Sequence, residues 1–456
     1  MSRISETFLQ EAESKAFDRE HRRKIKFNIG KYNTAVENGL QEFSNHELAR
    51  ERASYIKEQS VFHLDKYLLE FEQNFEHNGG KVIWAKTAED ALVEISRIFD
   101  AKAARRVVKS KTMTTEEIHL NEFLEKKDVE VVETDLGEYI VQLAGQKPYH
   151  IVTPAMHMSK KDIADLFVKK LHIEPTDDAR ELTLTARRIL REKYLNADIG
   201  ITGGNFLIAD VGGIAITENE GNARLSTTFP KVHIAVVGIE KLIPAFTDLG
   251  LMWQMLCTSG TGQMLTVYNT VLTGPRKAGE QDGPEEMYVV LLDNGRSALL
   301  ADVAKRAALK CIRCGACLNT CPVYKNIGGH TYKTTYSGPI GAVISPQFMG
   351  LQAYKHLSYA SSLCGACTSV CPVKIPIHEL LLLNRNQSVK ENAGRLEKFG
   401  FQVWKVAMLN RSLMNSVRGG VKSAIINLLF PAWRKRRSNV KLAPKSFNEL
   451  WKERKA

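Results

Sequence analysis

Cys311-Ile-Arg-Cys314-Gly-Ala-Cys317-Leu-Asn-Thr-Cys321-Pro322 is the stretch on which the reading of the whole chain turns. Four cysteines spaced two, two and three residues apart, then proline, are the pattern with which thiolates wrap a cubic [4Fe–4S] cluster. A shorter copy follows, Cys364-Gly-Ala-Cys367-Thr-Ser-Val-Cys371-Pro372, and together the runs use seven of the eight cysteines. Zinc suits the spacing poorly, because structural zinc sites draw four ligands as two separated pairs. A cubane spreads its iron corners over several ångströms, so consecutive short loops each reach one. Proline after the last cysteine ends a helical turn and removes a competing backbone donor.

In two-cluster ferredoxins the cysteine before that proline serves the other cluster. The crossed rule assigns Cys311, Cys314, Cys317 and Cys371 to cluster one, and Cys321, Cys364 and Cys367 to cluster two. Aligning the copies puts Ser361 where an eighth cysteine would stand. Cluster two is then either [4Fe–4S] with serine, water or another ligand on one iron, or [3Fe–4S]. Ser361 is that ligand or, more plainly, a polar turn residue beside Ser362. Cys257 reads as a buried small hydrophobe. Two such centres make a relay that passes electrons singly, and Lys310 and Arg313 beside cluster one would favour its reduced form. No flavin or nicotinamide signature accompanies them, so a relay needs a partner subunit on at least one side.

A chain of 456 residues suggests two or three domains, and 44% hydrophobic with 25% charged residues is an ordinary soluble composition. The opening Met1-Ser-Arg-Ile-Ser-Glu-Thr carries no apolar signal segment, and no run is long enough to span a membrane. Cysteines scarce before residue 311 and dense afterwards point to metal ligation in a reducing cytoplasm. The net charge of +12 is uneven, gathering at Arg22-Arg23-Lys24 and from Arg434-Lys-Arg-Arg437 onward. Such a distribution argues for an acidic partner or phospholipid headgroups and against specific nucleic-acid binding. Residues 386–456 combine Phe399, Phe401, Trp404 and Ile425-Ile-Asn-Leu-Leu-Phe430-Pro-Ala-Trp433 with that basic cluster. The segment docks a partner or packs within the chain, with peripheral contact at the inner face of the membrane as the alternative.

Residues 1–80 read as helices, the last with an apolar face from His46 to His77 that stops at Gly79-Gly80. From 81 to 300 the period changes. Val82–Ala85, Arg106–Lys109, Val129–Val132 and His150–Thr153 read as strands, and Met287–Leu292 as the last. Capping boxes at Thr87-Ala-Glu-Asp90, Thr114-Thr-Glu-Glu117 and Ser159-Lys-Lys-Asp162 open the helices between them. The expectation is an α/β domain with a parallel sheet covered on both faces. Its second half is glycine-rich, with Thr202-Gly203-Gly204-Asn205-Phe206 and Asp210-Val-Gly212-Gly213 ahead of Glu218. Neither stretch matches a dinucleotide or Walker loop. The glycines either make tight turns or bound a small-molecule pocket of Gly203, Gly204, Asn205, Asp210 and Glu218. Glu218 and Glu220 are candidate carboxylates there, or a solvated strand end. Residues 301–385 form the cysteine domain, led in by a helix over Ala301–Leu309.

These glycine stretches, the paired cysteine runs, and Arg224-Leu-Ser226-Thr-Thr-Phe-Pro230 with Lys231–Val237 resemble the lactate utilization protein B family over nearly the full length. The resemblance implies an α/β domain of the coenzyme A transferase and ribose-5-phosphate isomerase type, joined to a small helical two-cluster ferredoxin-like domain. It implies a cytoplasmic iron–sulfur subunit, itself non-catalytic, that acts with two sister proteins in oxidising L-lactate to pyruvate. It also implies two [4Fe–4S] clusters with the crossed ligation above, and the family shares the missing eighth cysteine. Two other readings compete. In one the α/β domain is a transferase or isomerase with structural or sensing clusters. In the other an iron–sulfur regulator uses its basic tail on nucleic acid.

Overall fold

The computed structural model describes residues 3–392, 394–429 and 437–455. The chain divides between Gln387 and Ser388 into two units.

The first unit holds ten strands: β1 Lys81–Ala85, β2 Arg106–Lys109, β3 Glu130–Glu133, β4 Ile199–Thr202, β5 Phe206–Ile208, β6 Gly213–Glu218, β7 Val232–Gly238, β8 Leu242–Ile243, β9 Tyr268–Leu272 and β10 Glu286–Leu292. Six of them form a sheet in the order β1-β10-β7-β4-β2-β3, parallel throughout. Helices cover both faces, so Val232–Gly238 is buried at every position and reads as an unbroken apolar run. From β2 the chain steps outward to β3, then returns to β4 on the other side of β2 and continues to β7 and β10. The crossovers therefore diverge between β2 and β4, where an open α/β sheet leaves a crevice at its carboxyl ends. A second, mixed sheet, β8-β5-β6-β9, takes up the glycine-rich half.

Two capping boxes form as expected: the side chains of Thr87 and Asp90, and of Ser159 and Asp162, each accept the other's backbone N–H. The third does not. The helix there starts at Met113, Thr112 is its N-cap without a side-chain bond, and the Thr115 hydroxyl donates to the Thr112 carbonyl at 2.9 Å. The expected strand at His150–Thr153 is a loop. His150 Nδ1 accepts the amides of Val152 and Thr153 at 3.1 and 3.3 Å, which curls the segment, and Ile151 packs against the cysteine domain instead of a sheet. The helix from His46 breaks at His63 into His46–Phe62 and Leu64–His77. The lead-in to the first cysteine is likewise two pieces, Arg296–Ala301 and a 3-10 turn at Arg306–Lys310. Asp302 separates them, its carbonyl accepting the amides of Lys305 and Arg306.

The N-terminal helices share a core with the cysteine domain: Phe8, Ile25, Ile29 and Ile56 belong to one apolar cluster with Leu318, Tyr324, Val343, Cys314 and Cys317. Among the described residues the second unit carries the end of helix Ile377–Asn392 and helices Arg395–Leu409, Arg411–Ser416, Gly419–Leu429 and Phe447–Lys455. Phe401, Trp404, Leu413 and Ile425 on it are exposed. Phe430-Pro-Ala-Trp433 and Arg434-Lys435-Arg436 lie outside the described residues. Among the described residues no helix is long and apolar enough to cross a membrane.

Candidate metal centre

Each cysteine run reverses direction through the same backbone device. Gly315 (φ 83°) and Gly365 (φ 80°) are left-handed and start the short helices Ala316–Thr320 and Ala366–Ser369. Arg313 (φ 63°) and Leu363 (φ 55°), two positions earlier, are left-handed as well. Glycine adopts this region freely, whereas an L side chain pays about 1 kcal/mol, so the duplicated strain marks a constrained geometry. Pro322 occupies the first turn of Pro322–Ile327, and the Cys321 sulfur caps that helix by accepting the Tyr324 amide at 3.5 Å. The Cys371 sulfur accepts the Ile375 amide at 3.3 Å.

The seven thiols gather as two sets that cross the runs. Cys311, Cys314, Cys317 and Cys371 line one cavity, whose remaining walls include Ile151, Ile312, Ile340, Val373, Ile375 and Ile377. Burial pushes Cys371 up to about 11, with Cys311 adding to the effect. It pushes Cys314 and Cys317 further, Cys314 sensing Cys371 and Cys311, and Cys317 sensing Cys311, Cys314 and Cys371. In the second set burial raises Cys367 to about 11, and Cys321 and Cys364 add to it. Cys364 alone is exposed, and the Ala366 amide and the Ser362 hydroxyl lower its thiol. The Ser361 hydroxyl accepts the Leu363 amide at 3.1 Å, closing a turn. Among the described residues no three His, Cys, Asp or Glu side chains converge as a single metal ion requires. Four soft sulfur donors spread around an apolar cavity, with backbone N–H groups aimed at sulfur, are a donor set that fits an iron–sulfur cluster.

Cations surround the first set. Arg313 Nη2 donates to Glu240 at 3.1 Å and its guanidinium lies 4.7 Å over the Tyr336 ring, while its buried Nε and Nη1 have no partner. Glu240 also accepts from Arg296 Nε; Arg296 grips Glu117 with two bonds of 2.8 Å, and the Tyr336 hydroxyl donates to Glu117 at 2.6 Å. Lys310 donates to the Ser54 hydroxyl at 2.9 Å. Arg50 Nη2 fixes the second run by donating to the carbonyls of Ser369 and Cys371 at 2.8 and 3.0 Å. Arg50, Glu117 and Glu240 escape sequence reasoning because each lies far along the chain from the cysteines that it supports, and Arg296 because its partners Glu117 and Glu240 are equally remote.

A second cavity, of about 360 Å³, opens at the carboxyl ends of β2 and β4. It brings together Lys111, Thr112, Gly203, Gly204, Asn205, Thr217, Glu218, Lys241, Cys257, Arg313 and Cys314. Four residues of the expected pocket are therefore present, and Cys257, buried as expected, is one of its walls. Asp210 is not there. It sits exposed in the turn between β5 and β6 and accepts the Phe246 amide at 2.9 Å. The hairpin explains this: Asn205 and Thr217 pair at its open end, bonded at 2.9 Å, and the Asp210 turn is at the closed end. Gly203 is required by close approach, since a Cβ there would stand 2.4 Å from Thr112 Oγ1. Glu218 accepts the amides of Ala223 and Arg224 at 2.7 and 3.0 Å, and burial raises its carboxyl against their pull. The polar Ser110-Lys-Thr112 directly after β2 was the available signal for this site.

The fold and the thiol sets define an iron–sulfur protein in which an α/β domain is built onto a [4Fe–4S] module. Residues 68–292 match the LUD domain family, and residues 307–375 match the 4Fe-4S dicluster domain family. The chain is 50% identical over 356 residues to lactate utilization protein B of Anoxybacillus flavithermus, covering 78% of this chain and 75% of that one. Against lactate utilization protein B of Bacillus subtilis the identity is also 50%, covering 78% and 74%. A solved DUF162 family protein from Deinococcus radiodurans is 14% identical with a TM-score of 0.29, covering 50% of this chain and 98% of that one. The chain belongs to the lactate utilization protein B family.

Proposed function

We propose that this chain is the iron–sulfur electron-transfer subunit of an L-lactate-oxidising system, itself non-catalytic and dependent on sister subunits for electron entry and exit. The observation that carries the reading is the sorting of seven thiols into two sets that cross the two runs. Cys311, Cys314, Cys317 and Cys371 would hold one cluster, and Cys321, Cys364 and Cys367 the other. The second set leaves one iron to a non-cysteine ligand, or holds [3Fe–4S]. When bound, such clusters supply one-electron chemistry.

The chain's own residues have definable parts in this. The isoleucines around the first cavity exclude water, which strengthens every charge placed near it. Backbone amides of Tyr324 and Ile375 donate to sulfur, and Arg313 and Lys310 place positive charge beside the first set; both favour the reduced state. The α/β domain belongs, in this reading, with the coenzyme A transferase and ribose-5-phosphate isomerase type. The protein works in the cytoplasm, its basic tail facing a partner subunit or the inner membrane surface.

Anaerobic purification with iron and sulfide analysis tests the clusters. Electron paramagnetic resonance after adding L-lactate and the sister subunits tests the relay: reduced-cluster signals support it, and their absence in cluster-replete protein overturns it. The polar cavity favours one second reading, a transferase or isomerase activity of the α/β domain. Turnover of an acyl-coenzyme A or a sugar phosphate by the isolated chain would establish that instead.

A further inference from the structure

We infer that the C-terminal unit is an interfacial anchor for an anionic phospholipid surface, which holds its basic side chains by charge and the exposed apolar faces of its helices by burial. This commits the basic tail to lipid and rests on the reading above for the side of the membrane that it meets; no bound cluster is needed for it.

Charge is divided sharply along the chain. Residues 388–456 carry 16 of the 63 Lys and Arg but only four of the 51 Asp and Glu. Their surplus of 12 is the whole net charge of the protein, and residues 1–387 balance at 47 cations against 47 anions. Attraction to an anionic surface is therefore confined to the C-terminal unit.

Apolar surface lies where the charge is. On Arg395–Leu409, Leu396, Phe399, Val403 and Val406 recur at helical spacing and all are exposed, Leu396 at 88% and Phe399 at 68%. Trp404 borders this stripe, while Lys398 and Lys405, two turns apart, occupy the opposite side. Gly419–Leu429 is arranged the same way. Its polar residues are used within the unit: Asn427 exchanges two hydrogen bonds of 3.0 Å with Val440, and Ser423 Oγ accepts the Leu442 amide at 2.9 Å. Val421, Ile425 and Leu428 are left exposed. On Phe447–Lys455 the exposed Phe447 stacks on Trp451 with ring centroids 5.7 Å apart.

These features select lipid over a protein partner. Lys outnumbers Arg nine to seven in the unit, whereas protein interfaces are depleted in lysine. A protein would have to match apolar faces on three separate helices, but a bilayer interface accepts any helix that lies in its plane. Arg395–Leu409 has 15 residues, ~22 Å, too short to span and suited to lying flat with its stripe inward and its lysines among the headgroups.

The test is co-sedimentation of the full chain with vesicles of phosphatidylcholine alone and of phosphatidylcholine mixed equally with phosphatidylglycerol. The chain should bind the mixed vesicles saturably, about tenfold or more above the neutral ones, and salt should weaken the binding. Lys398→Gln and Lys405→Gln should each weaken it by about fivefold, and Phe399→Ser with Trp404→Ser by about tenfold. All four side chains are exposed, so the fold should survive. Brominated acyl chains should quench tryptophan fluorescence of the bound chain, and quench it less in Trp404→Phe. Failure to bind the mixed vesicles overturns the proposal. Affinity indifferent to the serine substitutions overturns it too, as adsorption of a polycation, and so does displacement of the vesicles by an acidic sister subunit, which would assign the faces to protein. Lactate-dependent reduction of the clusters is read without vesicles, so the two readings fail separately.

Discussion

Glu240, just past the end of β7, accepts a hydrogen bond at 3.1 Å from Arg313, which stands between Cys311 and Cys314. This contact ties the sheet to the cysteine domain through an almost wholly buried network that Arg296, Glu117 and Tyr336 complete. Breaking such a network from one side leaves a charge stranded in a dry place. Glu240→Gln should therefore destabilise the protein by about 3–5 kcal/mol, read as a lowered denaturation midpoint. Replacing Asp210, exposed at the closed end of its hairpin, should cost less than about 0.5 kcal/mol.

Arg313→Gln removes a positive charge beside the first thiol set. The midpoint potential assigned to that cluster should fall by roughly 50 mV, close to tenfold in a one-electron equilibrium. Potentiometry with electron paramagnetic resonance would read it, and an unchanged or higher potential would refute the role.

Acid should loosen the same junction. Burial alone would raise the Glu240 carboxyl, but Arg296, Arg313 and Lys241 hold it down at about 2. Its contribution is fully present above the ordinary value of 4.5 and is lost as the pH falls from there through about 2. Stability measured across that window should drop in the parent chain and stay flatter in Glu240→Gln.

Crossed ligation has a direct signature. Cys371→Ala should remove the cluster served by the first run, although Cys371 belongs to the second. Cys321→Ala should remove the other cluster. Each variant should keep about four irons or fewer, with distinct spectra; loss of the same signal from both would contradict the crossing.

Gly203→Ala places a methyl group 2.4 Å from the Thr112 hydroxyl. The expected cost is about 1–3 kcal/mol from overpacking, measured by thermal unfolding.

What was legible in the sequence was local. The cysteine spacing, the capping boxes at Thr87 and Ser159, and the apolar strands all announce themselves within a few residues. The His150–Thr153 loop misleads because its apolar residues serve a contact with a distant domain, which alternation cannot distinguish from a strand. Asp210 looked like a neighbour of Glu218 only in sequence, and a hairpin sends them to opposite ends. Lys241, Glu240 and Arg296 were illegible because their meaning comes from a tertiary charge balance. Long-range pairing of that kind leaves no periodic trace.

Among the described residues, Cys364 is the only exposed thiol of the two sets, and it is also more acidic than a free cysteine. Oxidants reach a cluster first where a ligand sulfur faces solvent, and an apolar wall delays them. Ageing in air should thus begin at this sulfur and spare the isoleucine-walled set longest, so half-degraded preparations would be a defined species and not a random mixture.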